Sequence, residues 1–342
     1  MLVSIRWLRL VFGYIMLVLV IFLGIYYKTS IYLIYQSKGQ LSFLWGTTTI
    51  KRYQGENQLS VEQKKNILLI ERIKKYSVDS LDYKPTHNFE KIYDQKNQPV
   101  LWVITACEPY RFEPYEWYFP VVGQVTYKGF FKKDLAQKEY NRLVVEGYDV
   151  DLRNVSAWST LGWLNDPVLS TMLDRSKGGL CNLLFHELFH ATYYAAGKVD
   201  FNENIASFIA HKAALQFLQT DSLALKNYIN AYRDSEIFSR FMLRSTARLK
   251  SYYPQIKEKP NKLLLKLQAI FEIADSIRFL PINDKSRFIS KKSDIFKYKN
   301  AYFVDFQQYD SMQDSLEKVF NKIYKGNIKK MVQDLKQNKI NY

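Results

Sequence analysis

Hydrophobic and polar positions change rhythm several times along the chain. The first run, Leu10–Tyr27, holds 18 residues without a charge between Arg9 and Lys28. A helix of that length nearly crosses a bilayer core, so the run predicts an uncleaved transmembrane helix. A cleaved signal peptide or a buried helix are the alternatives, but the bulky FLGIYYKTS at the end of the run suits no signal cleavage. Arg6 and Arg9 precede the run, which places the N-terminus in the cytoplasm and the remainder on the extracytoplasmic, periplasmic side. Thr29–Gly46 continues as an amphipathic helix beside the membrane, and VEQKKNILLIERIKKY over Val61–Tyr76 is a charged helix. From Pro99 to Phe131 the pattern turns β-branched and aromatic, so VLWVITA and VVGQVTYKGFF read as strands. Asp134–Glu146 reads as a helix, GYDVDL as a short strand, and SAWSTLGWLNDPVLST as irregular. Two helices follow across Leu183–Phe217, and after His211 nearly everything is helical, broken near Pro254, Pro260 and Pro281. The expectation is an α+β protein divided into an anchor (1–28), a membrane-proximal helical segment (29–98), a catalytic core (99–217) and a helical C-terminal part (218–342).

Composition narrows the functional classes. Hydrophobic content of 47% excludes a disordered chain. Two cysteines, Cys107 and Cys181, cannot build a disulfide framework, although one bridge between them stays open outside the cytosol. The net charge of +16 raises nucleic acid as a partner, but the lysines are dispersed along helices and no reader motif accompanies them. A solvated basic face is the expected reading, with no nucleic-acid partner.

The chemistry concentrates in FHELFH, Phe185–His190, which holds two of the chain's four histidines. His186 and His190 lie at i and i+4 and project from one helix face, where two imidazoles reach one zinc ion at about 2.0–2.1 Å. Glu187 follows the first ligand directly. A carboxylate there can take a proton from water whose pKa the ion lowers toward ~7, and can pass that proton to a leaving amine. The apolar residues around the pair imply a buried helix, whose imidazoles need partners that a shared ion supplies. A third ligand is required, and Tyr193 and Ala196 exclude the HExxHxxGxxH pattern. Asp200, Glu203 and His211 are the candidates. Gly197 reads as the stop of the first helix and Asp200 or Asn202 as the cap of the next. Glu203 then leads, in the first turn of a helix returning toward His190. Asn202 is a candidate supporting or substrate contact, and His211, two turns on, reads as an ordinary helix residue.

These residues resemble a bacterial aminopeptidase family of membrane-associated zinc peptidases of the HExxH glutamate-zincin type. The likeness is carried by WYFPVVGQVTYKGFF, EGYDV, STLGWLNDPVLSTM, FHELFH and FNE, and it extends from Gly39-Gln40 to the C-terminal helices. It implies a zincin-like catalytic domain, a small sheet beside the HExxH helix, with a peptide as substrate. One Zn2+ would be held by His186, His190 and Glu203, with Glu187 as the catalytic carboxylate. Family cysteines fall at positions occupied here by Tyr118 and Gln124, so their disulfide cannot form in this chain. Within a zincin, QVTYKGFF suits an edge strand pairing with substrate backbone, and STLGWLNDP a pocket lining. Tyr194, four residues after His190, is the candidate donor to the oxyanion. Glu108, Glu113 and Glu116 are candidates for holding a substrate's free α-amino group. The competing functions are a zinc endopeptidase of the cell envelope and a non-catalytic, zinc-stabilised envelope scaffold.

Overall fold

The computed structural model describes residues 7–337 apart from 8, 15, 17–26, 120–122, 155–164, 196 and 310–311. Helix α1 (Tyr27–Trp45) leads through β1 (Thr47–Thr49) and α2 (Ile50–Glu56) to α3 (Val61–Asp79). Helix α3 begins where Ser60 and Gln63 exchange side-chain to backbone hydrogen bonds, satisfying two amides that a helix start leaves open.

The structure corrects the expected membrane anchor. Most of the apolar run, residues 15 and 17–26, lies outside the described residues, and among the described residues no helix is long and apolar enough to cross a membrane. The single-pass placement, the periplasmic location and the membrane as partner lose their support with it. The apolar pattern of helix α1 is broken by Gln36, Lys38 and Gln40, and the helix packs on protein. Tyr32 donates to the Gly129 carbonyl at 2.8 Å, and a Cβ on Gly39 would run into the ring of Phe131. That close approach is the physical use of the glycine in the Gly39-Gln40 pair.

The strands are short. They are β2 (Lys91–Tyr93), β3 (Trp102–Cys107), β4 (Trp117–Phe119), β5 (Gly123–Val125) and β6 (Tyr127–Phe130), then, after α4 (Lys133–Val145), β7 (Asp149–Asn154) and β8 (Val168–Leu169). The sheet that matters for the site is β6-β3-β7, antiparallel throughout. One face packs on α4 through Ile104, Ala106, Phe130, Ala136, Leu143 and Val150. Alternation along the strands gives the other face Val103 and Thr105, Tyr127 and Gly129, Asp151 and Arg153. A second sheet, β1-β2-β8, is smaller. QVTYKGFF, expected as one strand, is two: β5 pairs with β4 in a separate hairpin, and β6 pairs with β3. The break falls at Thr126. In the hairpin Tyr118 stands opposite Gln124, the two positions where the family resemblance places cysteines.

The helical remainder comprises α5 (Lys177–Thr192), α6 (Val199–Phe217), α7 (Ser222–Ile256), α8 (Lys262–Ser276), α9 (Lys285–Ile289), α10 (Lys292–Tyr298), α11 (Asn300–Tyr309), α12 (Gln313–Lys322) and α13 (Ile328–Lys336). Pro254 lies inside α7, which stops two residues later. One apolar core joins α3, α5, α6 and α13, and another joins α7 to α11 with Cys107 and Phe112. Cys107 and Cys181 are both buried and free, one in each core, so no bridge joins them.

Candidate metal centre and cleft

Helix α5 starts at Ser176, whose hydroxyl accepts the Gly179 amide at 3.3 Å. Gly178 is required there, because a Cβ would come within 2.6 Å of the Tyr228 Cβ on α7. The helix then buries Leu180, Cys181, Leu184, Phe185, Leu188 and Phe189 almost completely. Burial on that scale, worth roughly 1.5–3 kcal/mol per large apolar side chain, fixes the rotation of α5 and aims His186 at the cleft.

The chain doubles back between α5 and α6, though not where glycine suggested. The helix ends at Thr192, and Tyr193 is already extended at φ −142° and ψ 132°. Thr192 is tied at this point: its hydroxyl donates to the Leu188 carbonyl at 3.1 Å and accepts the Lys84 amide at 3.1 Å. Gly197 instead takes a positive φ of 74° within the connecting loop. Neither Asp200 nor Asn202 caps α6, which begins at Val199 behind Lys198 with no side-chain cap. Asp200 is exposed in the first turn. Asn202 is 1% exposed and braces the loop, donating to the Ala195 carbonyl at 2.7 Å and accepting the Ala195 amide at 2.8 Å. This double bond fixes the sharp return that puts Glu203 beside the imidazoles.

The result is a compact donor set. His186 Nε2 and His190 Nε2 lie 3.0 Å apart, with Glu203 oxygens 3.3 Å from the first and 3.5 Å from the second. Tetrahedral zinc with bonds of about 2.0–2.1 Å separates its ligand atoms by roughly 3.3 Å, so the set fits such an ion. Among the described residues this is the cluster that could hold a metal. Burial pushes the His190 imidazole down to about 4, with the charge of His186 acting in the same direction, so His190 presents a lone pair at neutral pH. For His186 burial acts downward too, but the Glu203 contact and the Glu187 charge hold its pKa above the ordinary value. Burial would raise Glu203, yet His186 keeps it below the usual carboxylate range. Ser207 on α6 lies 3.4 Å from His186 Nδ1 and supports that ring from behind. His190 Nδ1 is buried with no hydrogen-bond partner among the described residues.

Glu187 faces the same cleft, a cavity of about 1190 Å³ between α5, α6, the open face of the β6-β3-β7 sheet and helices α7 and α9 to α11. The remaining sequence candidates distribute unevenly. Tyr194 is 40% exposed in the loop rather than on the helical face of His190, because α5 has already ended. His211 bonds the Tyr228 hydroxyl at 2.9 Å and stacks on Tyr232, outside the His186–His190–Glu203 cluster. Glu108, Glu113 and Glu116 are not among the described residues lining the cleft, and Arg111 lies 3.5 and 3.6 Å from the first two. Most of STLGWLNDP lies outside the described residues. Sequence reasoning missed Tyr127, Asp151 and Arg153, all of which line the cleft. Tyr127 sits on edge strand β6 with about half of its surface exposed, and partial burial followed by the charge of Glu203 raises the pKa of its phenol.

Fold and site together define an α+β protein, mostly helical with small sheets, whose cleft contains a His–His–Glu cluster able to hold a metal ion. The chain belongs to the family described as "Putative aminopeptidase", which it matches over residues 31–339. That description is of a peptidase, a hydrolase of peptide bonds. No curated protein and no solved structure matches the chain.

Proposed function

We propose that this protein is a zinc-dependent aminopeptidase of the zincin kind, with one Zn2+ held by His186, His190 and Glu203. The observation that carries the reading is the convergence of two imidazole nitrogens and a carboxylate at 3.0–3.5 Å, open to a cleft that Glu187 also lines. The bound ion would supply a Lewis acid that polarises a scissile carbonyl and acidifies water. Glu187 acts as general base toward the attacking water and returns the proton to the leaving amine. Tyr127 and Tyr194, at the site's edge, are the phenols suited to donate to the oxyanion. Strand β6 has β3 as its partner in the sheet, and its other edge is suited to pair with substrate backbone.

The test is hydrolysis of free-amine and N-acetylated peptides by the purified chain, with and without chelator. The reading expects cleavage of the free-amine set, lost with chelator and restored by zinc. Cleavage that ignores the chelator, or a zinc-loaded chain that cleaves nothing, overturns it. Equal cleavage of the acetylated set would reassign the activity to an endopeptidase.

A further inference from the structure

The sheet wall of the cleft carries a charged pair that the metal centre does not use. On β7 the Asp151 side chain is 2% exposed and that of Arg153, two residues on and on the same face, is 40% exposed. Asp151 Oδ2 and Arg153 Nη1 lie 3.3 Å apart. A carboxylate that deep needs a cation against it. A guanidinium held from beneath in this way gives up little further freedom when it binds an anion. Arg153 is thus a preoriented donor in the cleft rather than a mobile surface charge. Arg175, which leads into α5, lines the same cleft, as do Arg287, Lys291 and Asp294. Burial lowers the Arg175 guanidinium, as expected for a cation drawn out of water.

Register sets the distance. Tyr127 and Asp151 are both paired with Thr105, and Arg153 with Val103. Arg153 is therefore two strands across and two residues along from Tyr127, whose phenol feels the charge of Glu203. At about 4.8 Å per strand and about 3.3 Å per residue, their backbones are about 12 Å apart. A peptide running along β6 does not shorten that distance, but one whose C-terminal residues leave the β6 edge and cross the open face of the sheet, at about 3.3 Å per residue, brings a carboxylate two or three residues from the scissile bond within reach of the arginine side chain.

Resting on the metallopeptidase reading, we propose that Arg153, positioned by Asp151, and Arg175 form a carboxylate-binding subsite. The substrate class is then short peptides with a free C-terminal carboxylate, or peptides with an acidic side chain at that distance.

Three probes test this on the full chain: trialanine with a free carboxylate, its C-terminal amide, and that amide with glutamate as third residue. Affinity is read by calorimetry on the zinc-loaded Glu187→Gln protein, and kcat/KM on the unaltered one. The free acid should bind about tenfold or more tighter than its amide, as a charge-assisted fork requires. Arg153→Gln should bring that ratio near one. Arg153→Lys should fall between, because it keeps the charge without the fork. If the glutamate amide matches the acid, the subsite reads an acidic side chain. If it matches the plain amide, the subsite reads the C-terminus. Equal affinity for all three probes, or a ratio that Arg153→Gln leaves unchanged, overturns the subsite while the peptidase reading stands. Preferential binding of the acid with no hydrolysis of any probe overturns the peptidase reading and leaves the subsite.

Discussion

Two of the buried polar clusters among the described residues differ in one respect. Where the C-terminal helices meet the sheet, Lys266 Nζ donates to Asp149 Oδ2 at 2.5 Å, and the Asn300 amide donates to the same oxygen at 3.0 Å. Tyr253 donates to the Asn300 carboxamide at 2.6 Å, and that carboxamide donates to the Glu108 and Pro109 carbonyls. Burial drives Asp149 up and Lys266 down, and their mutual attraction opposes both shifts. Charge and hydrogen bonds close within the protein. In the α5–α6 cluster, by contrast, three acceptor-capable groups converge on one point and His190 Nδ1 has no partner among the described residues. A cluster that completes itself welds two parts of a fold together. A cluster of converging lone pairs, open to a cleft, is suited to a cation that arrives from outside.

Breaking the first cluster should have the largest effect on stability. Lys266→Ala leaves Asp149 buried without its cation and should cost about 3–5 kcal/mol, seen as a lower denaturant midpoint with zinc content unchanged. Replacing both members with apolar residues, Lys266→Met with Asp149→Leu, should lose less than Lys266→Ala alone. A double variant as unstable as the single one would show that the pair does more than compensate its own burial.

In the second cluster Glu187→Gln should leave the fold and the bound zinc intact while reducing turnover by at least about 10²-fold. Retained turnover would mean that Glu187 has another role. Asn202→Ala should cost about 1–3 kcal/mol through the Ala195 groups it leaves unpaired, and should weaken zinc binding because the return loop no longer holds Glu203. Unchanged metal affinity in that variant would show that the loop stays folded without its brace. The smallest change belongs to Asp200→Ala. An exposed acid in the first turn of α6 contributes only about 0.3–1 kcal/mol through the helix dipole, so melting should barely move and zinc should stay.

The His–His–Glu cluster of the cleft was legible in the sequence, and the sheet wall opposite it was not. A spacing of four on a helix fixes His186 and His190 to one face whatever the tertiary context, and a short return puts Glu203 opposite them. Tyr194 was misplaced because nothing local announces that α5 ends at Thr192, where a long-range bond from the Lys84 amide ties the last turn. Gly197 looked like the stop but serves the loop. Tyr127, Asp151 and Arg153 share a wall only through the pairing of β6, β3 and β7, and strands of four to six residues carry too little alternation to reveal their register. The two- and three-residue strands β1, β2, β4 and β8 gave no signal at all.

The central claim is that the α5–α6 cluster is a zinc site completed by Glu203. It is tested most directly by metal content per chain after dialysis against a weak chelator, measured in parallel on the unaltered protein, Glu203→Ala and Asp200→Ala. The account predicts one zinc ion retained by the unaltered protein and by Asp200→Ala, and none by Glu203→Ala, in which two neutral imidazoles hold the ion poorly. An unaltered protein that takes up no zinc, or a Glu203→Ala protein that stays fully loaded, would contradict it.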